Sequence, residues 1–206
     1  MPTNKPHPAS QVYLLIYNTV CAALWLYILL ATASTLISSR DILAVYTSLE
    51  AWTRCAQTLA VAEILHAATG LIRSPVFTTF TQVFARSVQV WGINYAYPDV
   101  TGPSLAYSAM LLAWATADAI RYLYFAIVLA GYPVPRALKW LRYSLFTILY
   151  PVGISSEWWL MFQATKVTDN QPVAALFAFF LGLYVPGSVM MYSYMLKQRR
   201  KVLARE

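Results

Sequence analysis

Six stretches of this chain, at about residues 12–37, 50–72, 76–97, 104–131, 138–163 and 173–195, are each near the ~20 apolar residues needed to cross a bilayer. Turn-forming clusters separate them: Ser38 to Asp41, Arg73-Ser74-Pro75, Pro98-Asp99 with Gly102-Pro103, Gly131 to Pro135, and Thr168 to Pro172. In lipid every backbone N–H and C=O must find its partner inside the protein, which leaves helices or a closed barrel. Runs of this length choose the helix. The expectation is an all-α, polytopic membrane protein with six transmembrane helices in one bundle, flanked by a tail at 1–11 and a basic tail at 196–206. Ala31-Thr32-Ala33 imitates a signal-peptidase site, but the first apolar stretch is longer than a signal core, so it reads as a retained anchor.

Composition agrees, with 59% hydrophobic and 11% charged residues among 206. That is too apolar for an ordinary soluble domain. A net charge of +7 would suit nucleic acid only on a soluble basic face, and here the cations gather at the ends of the spans. With six spans, Lys5, Arg73, Arg136, Lys139, Arg142, Lys197, Arg199, Arg200, Lys201 and Arg205 share one side. Arg40 and Lys166 lie on the other, beside Asp41, Asp99 and Asp169. The positive-inside rule then makes both termini cytoplasmic. Cys21 and Cys55 fall within apolar runs without metal-ligand spacing, so they read as packing residues, and no metal or cofactor is expected.

The spans carry groups that lipid rejects: Glu50, Arg54, Glu63 and His66; Gln82, Arg86 and Gln89; Asp118 and Arg121; Tyr150 and Glu157. Four acids against three arginines predict an interior, mutually paired network. Glu50 with Arg54 and Asp118 with Arg121 have the spacing of register-fixing ion pairs on one helix face. Arg86, accompanied by Gln82, can hold a carboxylate in its charged form or bind a ligand oxygen bidentately. His66 to Ser74 has the His, Gly, Arg and Ser spacing of a tyrosine phosphatase loop, yet Ala67 fills the nucleophile position. Without a thiolate that chemistry cannot run.

The segment Leu138–Gln163 concentrates the interest. Tyr150 and Glu157 are seven residues apart and project from one face of a continuous helix, with Tyr143 seven residues earlier on the same stripe. Pro151 and Gly153 loosen that helix and reduce bulk beside Tyr150, leaving room for a ligand. A carboxylate in a span is a functional-site hypothesis by default, and an acid with a hydroxyl donor suffices to move a proton and expel a poor leaving group.

Leu141-Arg142-Tyr143, Leu149-Tyr150-Pro151-Val152-Gly153 and Ser156-Glu157 carry a resemblance to a known family. So do Tyr13 to Asn18, Glu63-Ile64-Leu65-His66 through Pro75, Gln82 to Arg86, Ile120-Arg121-Tyr122 and Tyr184-Val185-Pro186-Gly187. The chain resembles the very-long-chain 3-hydroxyacyl-CoA dehydratases, also called protein-tyrosine-phosphatase-like proteins, and its Tyr184-to-Met195 stretch looks most like plant members. The resemblance implies an endoplasmic reticulum enzyme that converts a (3R)-3-hydroxyacyl-CoA to the trans-2-enoyl-CoA, the third step of fatty-acid elongation. It implies Tyr150 and Glu157 as the catalytic pair, and as partners the condensing enzyme and the two reductases of the cycle.

Dehydration of a β-hydroxy thioester needs a base for the α-proton and an acid for the departing hydroxyl. Glu157 as base and Tyr150 as acid satisfy this, and the reverse assignment stays open. With Arg142 at the interface and ~1.5 Å of rise per residue, Tyr150 lies about 12 Å and Glu157 about 22 Å deep. The CoA phosphates are then expected at a mouth formed by Arg73, Arg136, Lys139 and Arg142, and Glu63, Gln82, Arg86, Asp118, Arg121, Arg142, Tyr143 and Gly153 as a substrate-binding or supporting network. Two other classes remain: an inactive scaffold for the elongation complex or a signalling partner, and a small transporter, for which the chain lacks paired broken helices or inverted repeats.

Overall fold

The computed structural model of the chain describes residues 8–203. Lys5 and Arg205 lie outside the described residues, as do residues 1–7 and 204–206 of the tails expected at the two ends. What is described is helical with no strand: α1 (Pro8–Ser38), α2 (Ile42–Leu59), α3 (Val61–Ala68), α4 (Val76–Ser87), a π-helical turn at Val88–Tyr95, α5 (Pro98–Thr101), α6 (Leu105–Leu129), α7 (Arg136–Ser144), α8 (Phe146–Val167) and α9 (Gln171–Leu203).

Three helices, α1, α6 and α9, are long and apolar enough to cross a membrane. The other three expected rods are composite. α2 runs into α3 through a joint at Ala60, α4 continues as the π-helical turn, and Leu145 divides α7 from α8. This corrects the single helix expected over 138–163: Tyr143 belongs to α7 and packs edge-on against Tyr124 of α6 (6.3 Å between rings), away from the stripe of Tyr150. In the π-helical turn the Gln89 side-chain amide donates to Asn94 Oδ1 at 3.1 Å, a buried bond between side chains five residues apart.

The helix ends follow local chemistry and move several expected boundaries. Asp41 caps α2 by accepting from the Leu43 amide at 2.9 Å, so the helix starts at Ile42, eight residues before the expected span. Ser104 caps α6 in the same way. Gly70 and Gly131, at φ +71° and +79°, close α3 and α6 in the left-handed conformation that side chains resist. α1 extends back through residues 8–11, where Gln11 donates to the Leu129 carbonyl (2.8 Å), and α9 carries on through the basic segment 196–203 as helix.

α6 is the axle. It packs most extensively on α1, then on α8, and touches α2 and α7. Its buried residues point in several directions and include five small ones (Ser108, Ala113, Ala115, Ala119, Ala126), which allow close helix approach where lipid gives no hydrophobic drive for association. Trp25 and Ile28 of α1, Leu49 of α2 and Leu160 and Met161 of α8 complete the core around Tyr107, Met110 and Leu111. Cys21 packs in this core as expected, whereas Cys55 lies on the surface.

Candidate active site

Glu157, 9% exposed, sits on the inner face of α8 with both carboxylate oxygens engaged. The Trp114 indole N–H of α6 donates to Oε1 at 2.7 Å, and the Tyr184 hydroxyl of α9 donates to Oε2 at 2.9 Å. Three helices therefore converge on one carboxylate. Tyr150 is half-buried two turns earlier; its hydroxyl reaches the Ser188 carbonyl (3.5 Å) and its ring lies 6.0 Å from that of Tyr192. Residues 184, 188 and 192 form one face of α9. Tyr150 and Glu157 thus meet the same helix face, as their seven-residue spacing predicts. Pro151, without an N–H for the Thr147 carbonyl, sits in the second turn of α8, and the helix continues through it.

Gly153 is buried against α6. A β-carbon there would lie 3.7 Å from Ala113 Cβ and Trp114 Cδ1, and 3.8 Å from Glu157 Oε1. The missing side chain brings α8 onto α6 at the Trp114–Glu157 contact, instead of clearing space for a ligand. Two surface hollows of about 350 and 510 Å³ lie elsewhere, the first beside Arg54, Cys55 and Trp91, the second beside Asp99, Ser104 and Lys166. Neither is lined by Tyr150 or Glu157.

The expected charge network exists and leads to the same carboxylate. Arg121 Nη1 donates to both oxygens of Glu63 at 3.0 Å, while the Tyr122 hydroxyl makes a short bond to Glu63 Oε1. Arg121 Nε donates to Asp118 Oδ1 at 3.0 Å, and Asp118 Oδ2 pairs with Arg86 Nη1 at 2.6 Å. The Arg86 guanidinium then lies over the Trp114 ring, 3.9 Å from its centroid. Trp114, Asp118, Arg121 and Tyr122 are spaced at i, i+4, i+7 and i+8, one polar stripe along the axle helix. Removing either partner from a buried ion pair costs about 3–5 kcal/mol, so such a chain fixes the register of α3, α4 and α6. Arg86 also keeps Nε and Nη2 buried without a protein acceptor.

Other expected site residues fall apart from this group. Gln82 lies on the exposed face of α4. One turn later on the same face, Arg86 is long enough to reach Asp118 and Trp114 from α4, whereas Gln82 stays outside. Glu63 and His66 find separate partners: His66 Nε2 meets the Tyr13 hydroxyl at 2.9 Å. Glu50 and Arg54 pair at 3.3 Å, with the guanidinium over Tyr95 and Trp91, outside the main network. Arg142 lies among the rings of Tyr124, Phe125 and Tyr143 at 4.6–5.5 Å, and Arg73 and Arg136 are exposed. Arg199 of α9 donates to Ser144 Oγ at 3.1 Å, tying the last helix to α7. Among the described residues no group of three or more His, Cys, Asp or Glu is arranged to hold a metal ion.

Trp114 and Tyr184 were not expected at the site. The sequence gives little sign of either, because each is one aromatic among the 31 Phe, Trp and Tyr (9, 7 and 15) of an apolar chain.

Residues 57–205 match the family model described as protein tyrosine phosphatase-like protein, PTPLA. A probable very-long-chain (3R)-3-hydroxyacyl-CoA dehydratase of Schizosaccharomyces pombe is 36% identical over 195 residues, 94% of this chain and 93% of the relative. The very-long-chain (3R)-3-hydroxyacyl-CoA dehydratase PASTICCINO 2A of Oryza sativa subsp. japonica is 37% identical over 210 residues, 95% of this chain and 94% of the relative. The very-long-chain (3R)-3-hydroxyacyl-CoA dehydratase 2 of Homo sapiens is 32% identical over 212 residues, 96% of this chain and 83% of the relative. No solved structure matches the chain.

Proposed function

Because this chain belongs to the protein tyrosine phosphatase-like (PTPLA) family, we propose that it dehydrates very-long-chain (3R)-3-hydroxyacyl-CoA to the trans-2-enoyl-CoA in fatty-acid elongation, the activity its relatives are named for. The observation that carries the reading to particular residues is Glu157: a buried carboxylate, fixed at both oxygens, with a phenol two turns away against the same face of α9. Glu157 takes the α-proton and Tyr150 protonates the leaving hydroxyl. The opposite assignment uses the same two groups. Asp118, Arg121, Glu63 and Arg86 support the pair by holding Trp114 in place; Tyr143 and Gly153 support it by packing α7 and α8 on α6. Gln82, on the outer face of α4, contributes nothing to this arrangement.

The composite rods α2–α3, α4 with its π-helical turn, and α7–α8 each count as one crossing beside α1, α6 and α9. That gives six crossings with both termini cytoplasmic, in the endoplasmic reticulum membrane, and the other elongation enzymes as neighbours. On this topology Arg73 shares the cytosolic side with Arg136, Lys139 and Arg142 of α7, and the CoA phosphates dock on that side. Reversing those charges raises KM more than it lowers kcat.

The test is product analysis with purified protein in detergent, across a range of 3-hydroxyacyl chain lengths. Wild type forms the enoyl-CoA; Glu157→Gln and Tyr150→Phe each lose on the order of 10²–10⁴-fold in turnover, the usual contribution of a positioned acid or base, while remaining helical and monodisperse. Near-normal activity in either variant rejects the assignment.

A further inference from the structure

Tyr184 opens the Tyr184-Val185-Pro186-Gly187 motif, and the two-residue mechanism leaves it without a task. We infer that Tyr184 is a positioning residue for the general base, holding the Glu157 carboxylate from α9 as Trp114 holds it from α6. The inference rests on the dehydratase reading and adds to it a third side chain and the reason for the motif.

A glutamate has three rotatable bonds, and on an unsupported helix face its carboxylate samples several directions. Here the two donors come from different helices and approach different oxygens, at 2.7 and 2.9 Å, which fixes both the reach and the plane of the group. A carboxylate has about four lone-pair sites. Two are filled, one on each oxygen, so each oxygen keeps one with which to accept a proton. In the elimination the Cα–H bond breaks toward that free lone pair, and the electron pair it leaves becomes the Cα=Cβ bond. The Cβ–O bond breaks, and the hydroxyl departs as water with the proton of Tyr150. The proton gained by Glu157 returns to Tyr150 before the next turnover. Tyr184 keeps its own proton throughout, and its work is done before substrate arrives.

Its placement suits this role. Tyr184 and Ser188 are one turn apart on α9, so the helix face that holds Glu157 is also the one that receives the Tyr150 hydroxyl. Glu157 and Tyr150 both lie within electrostatic reach of the Tyr184 hydroxyl. A packing role would need only the ring, which phenylalanine supplies equally well.

The experiment is a double-mutant cycle on the full-length protein in detergent, with one 3-hydroxyacyl-CoA substrate. In otherwise wild-type protein, Tyr184→Phe lowers kcat about 10- to 100-fold, the range of a hydrogen bond to a charged group, and leaves KM within about twofold. In the Glu157→Asp background, where the carboxylate is one methylene short of Tyr184, the same change costs less than about threefold. Full activity of Tyr184→Phe, or an equal loss in both backgrounds, overturns the inference. Either result alongside active wild type and inactive Glu157→Gln leaves the dehydratase reading intact, whereas inactive wild type sinks that reading first. Thermal melting in the same detergent checks folding. If Tyr184→Phe melts lower, the cycle is repeated at reduced temperature on the monodisperse fraction, where the same two outcomes decide.

Discussion

α6 and α9 each hand Glu157 one hydrogen-bond donor, yet they are held in the bundle in opposite ways. α6 buries residues from Tyr107 to Ala126 on several faces and carries the Asp118–Arg121 ion-pair chain. In α9 only Phe177 and Leu181 are buried among the described residues, and outward-facing Val185, Val189 and Met190 are each more than 60% exposed. One hand on the carboxylate is bolted to the core and the other is mounted on the surface. Local stability follows buried contact density, so the Trp114 bond survives fluctuations that release the Tyr184 bond. Damage to the α6 side should therefore cost the fold, and damage to the α9 side should cost the geometry of the base.

The largest effect is expected from Asp118→Asn. It leaves the guanidinium groups of Arg86 and Arg121 without their shared anion, in a site where breaking a buried pair costs about 3–5 kcal/mol. The thermal midpoint in detergent should fall sharply, and activity with it. A midpoint within a degree or two of wild type would mean that the α6 stripe does not anchor the bundle, and the contrast with α9 would fail. Gly153 gives an intermediate effect with an internal control. Alanine adds a β-carbon at ordinary van der Waals distance from Ala113 and Trp114, so Gly153→Ala keeps the fold. Gly153→Leu must push apart α6 and α8 at the Trp114–Glu157 contact, an overpacking that typically costs 1–3 kcal/mol and here also moves the base. Equal melting and equal turnover for the two variants would show that the α6–α8 contact is looser than its distances imply.

What the sequence revealed and what it hid follow the same division. α1, α6 and α9 are continuous apolar runs and were legible, as was the i, i+3 ion pair of Asp118 with Arg121. The breaks at Ala60, at Val88 and at Leu145 were not, because no proline or glycine marks them; tertiary packing sets them. The seven-residue spacing of Tyr150 and Glu157 puts both on one face of their helix, but spacing along one helix says nothing of partners on others. Arg121 to Glu63, Arg86 to Trp114 and Tyr184 to Glu157 are all contacts between distant segments. Gln82 shows the converse: polarity within an apolar run suggests an inward-facing residue, yet Gln82 is exposed while Arg86, one turn on along the same face, reaches the α6 stripe.

The smallest expected effect probes how α9 is moored. Arg199 donates to the buried Ser144 Oγ at 3.1 Å, about two turns beyond Tyr192 in the segment that continues α9 past its apolar part. A single hydrogen bond of this kind is worth about 0.5–1.5 kcal/mol. Arg199→Gln should therefore leave the global melting midpoint nearly unchanged, because the core around α6 does not depend on it. Amide hydrogen exchange should nonetheless quicken along α9 by about two- to tenfold relative to wild type, while α6 amides stay as protected as before. If exchange quickened equally in both helices, α9 would be opening only with the whole bundle, and the difference between the fixed and the surface-mounted donor would not exist. If neither changed, the Tyr184 end of α9 would be held by its contacts with Glu157 and Tyr150 alone, which makes the hydrogen bond to the base part of the mooring as well as part of the site.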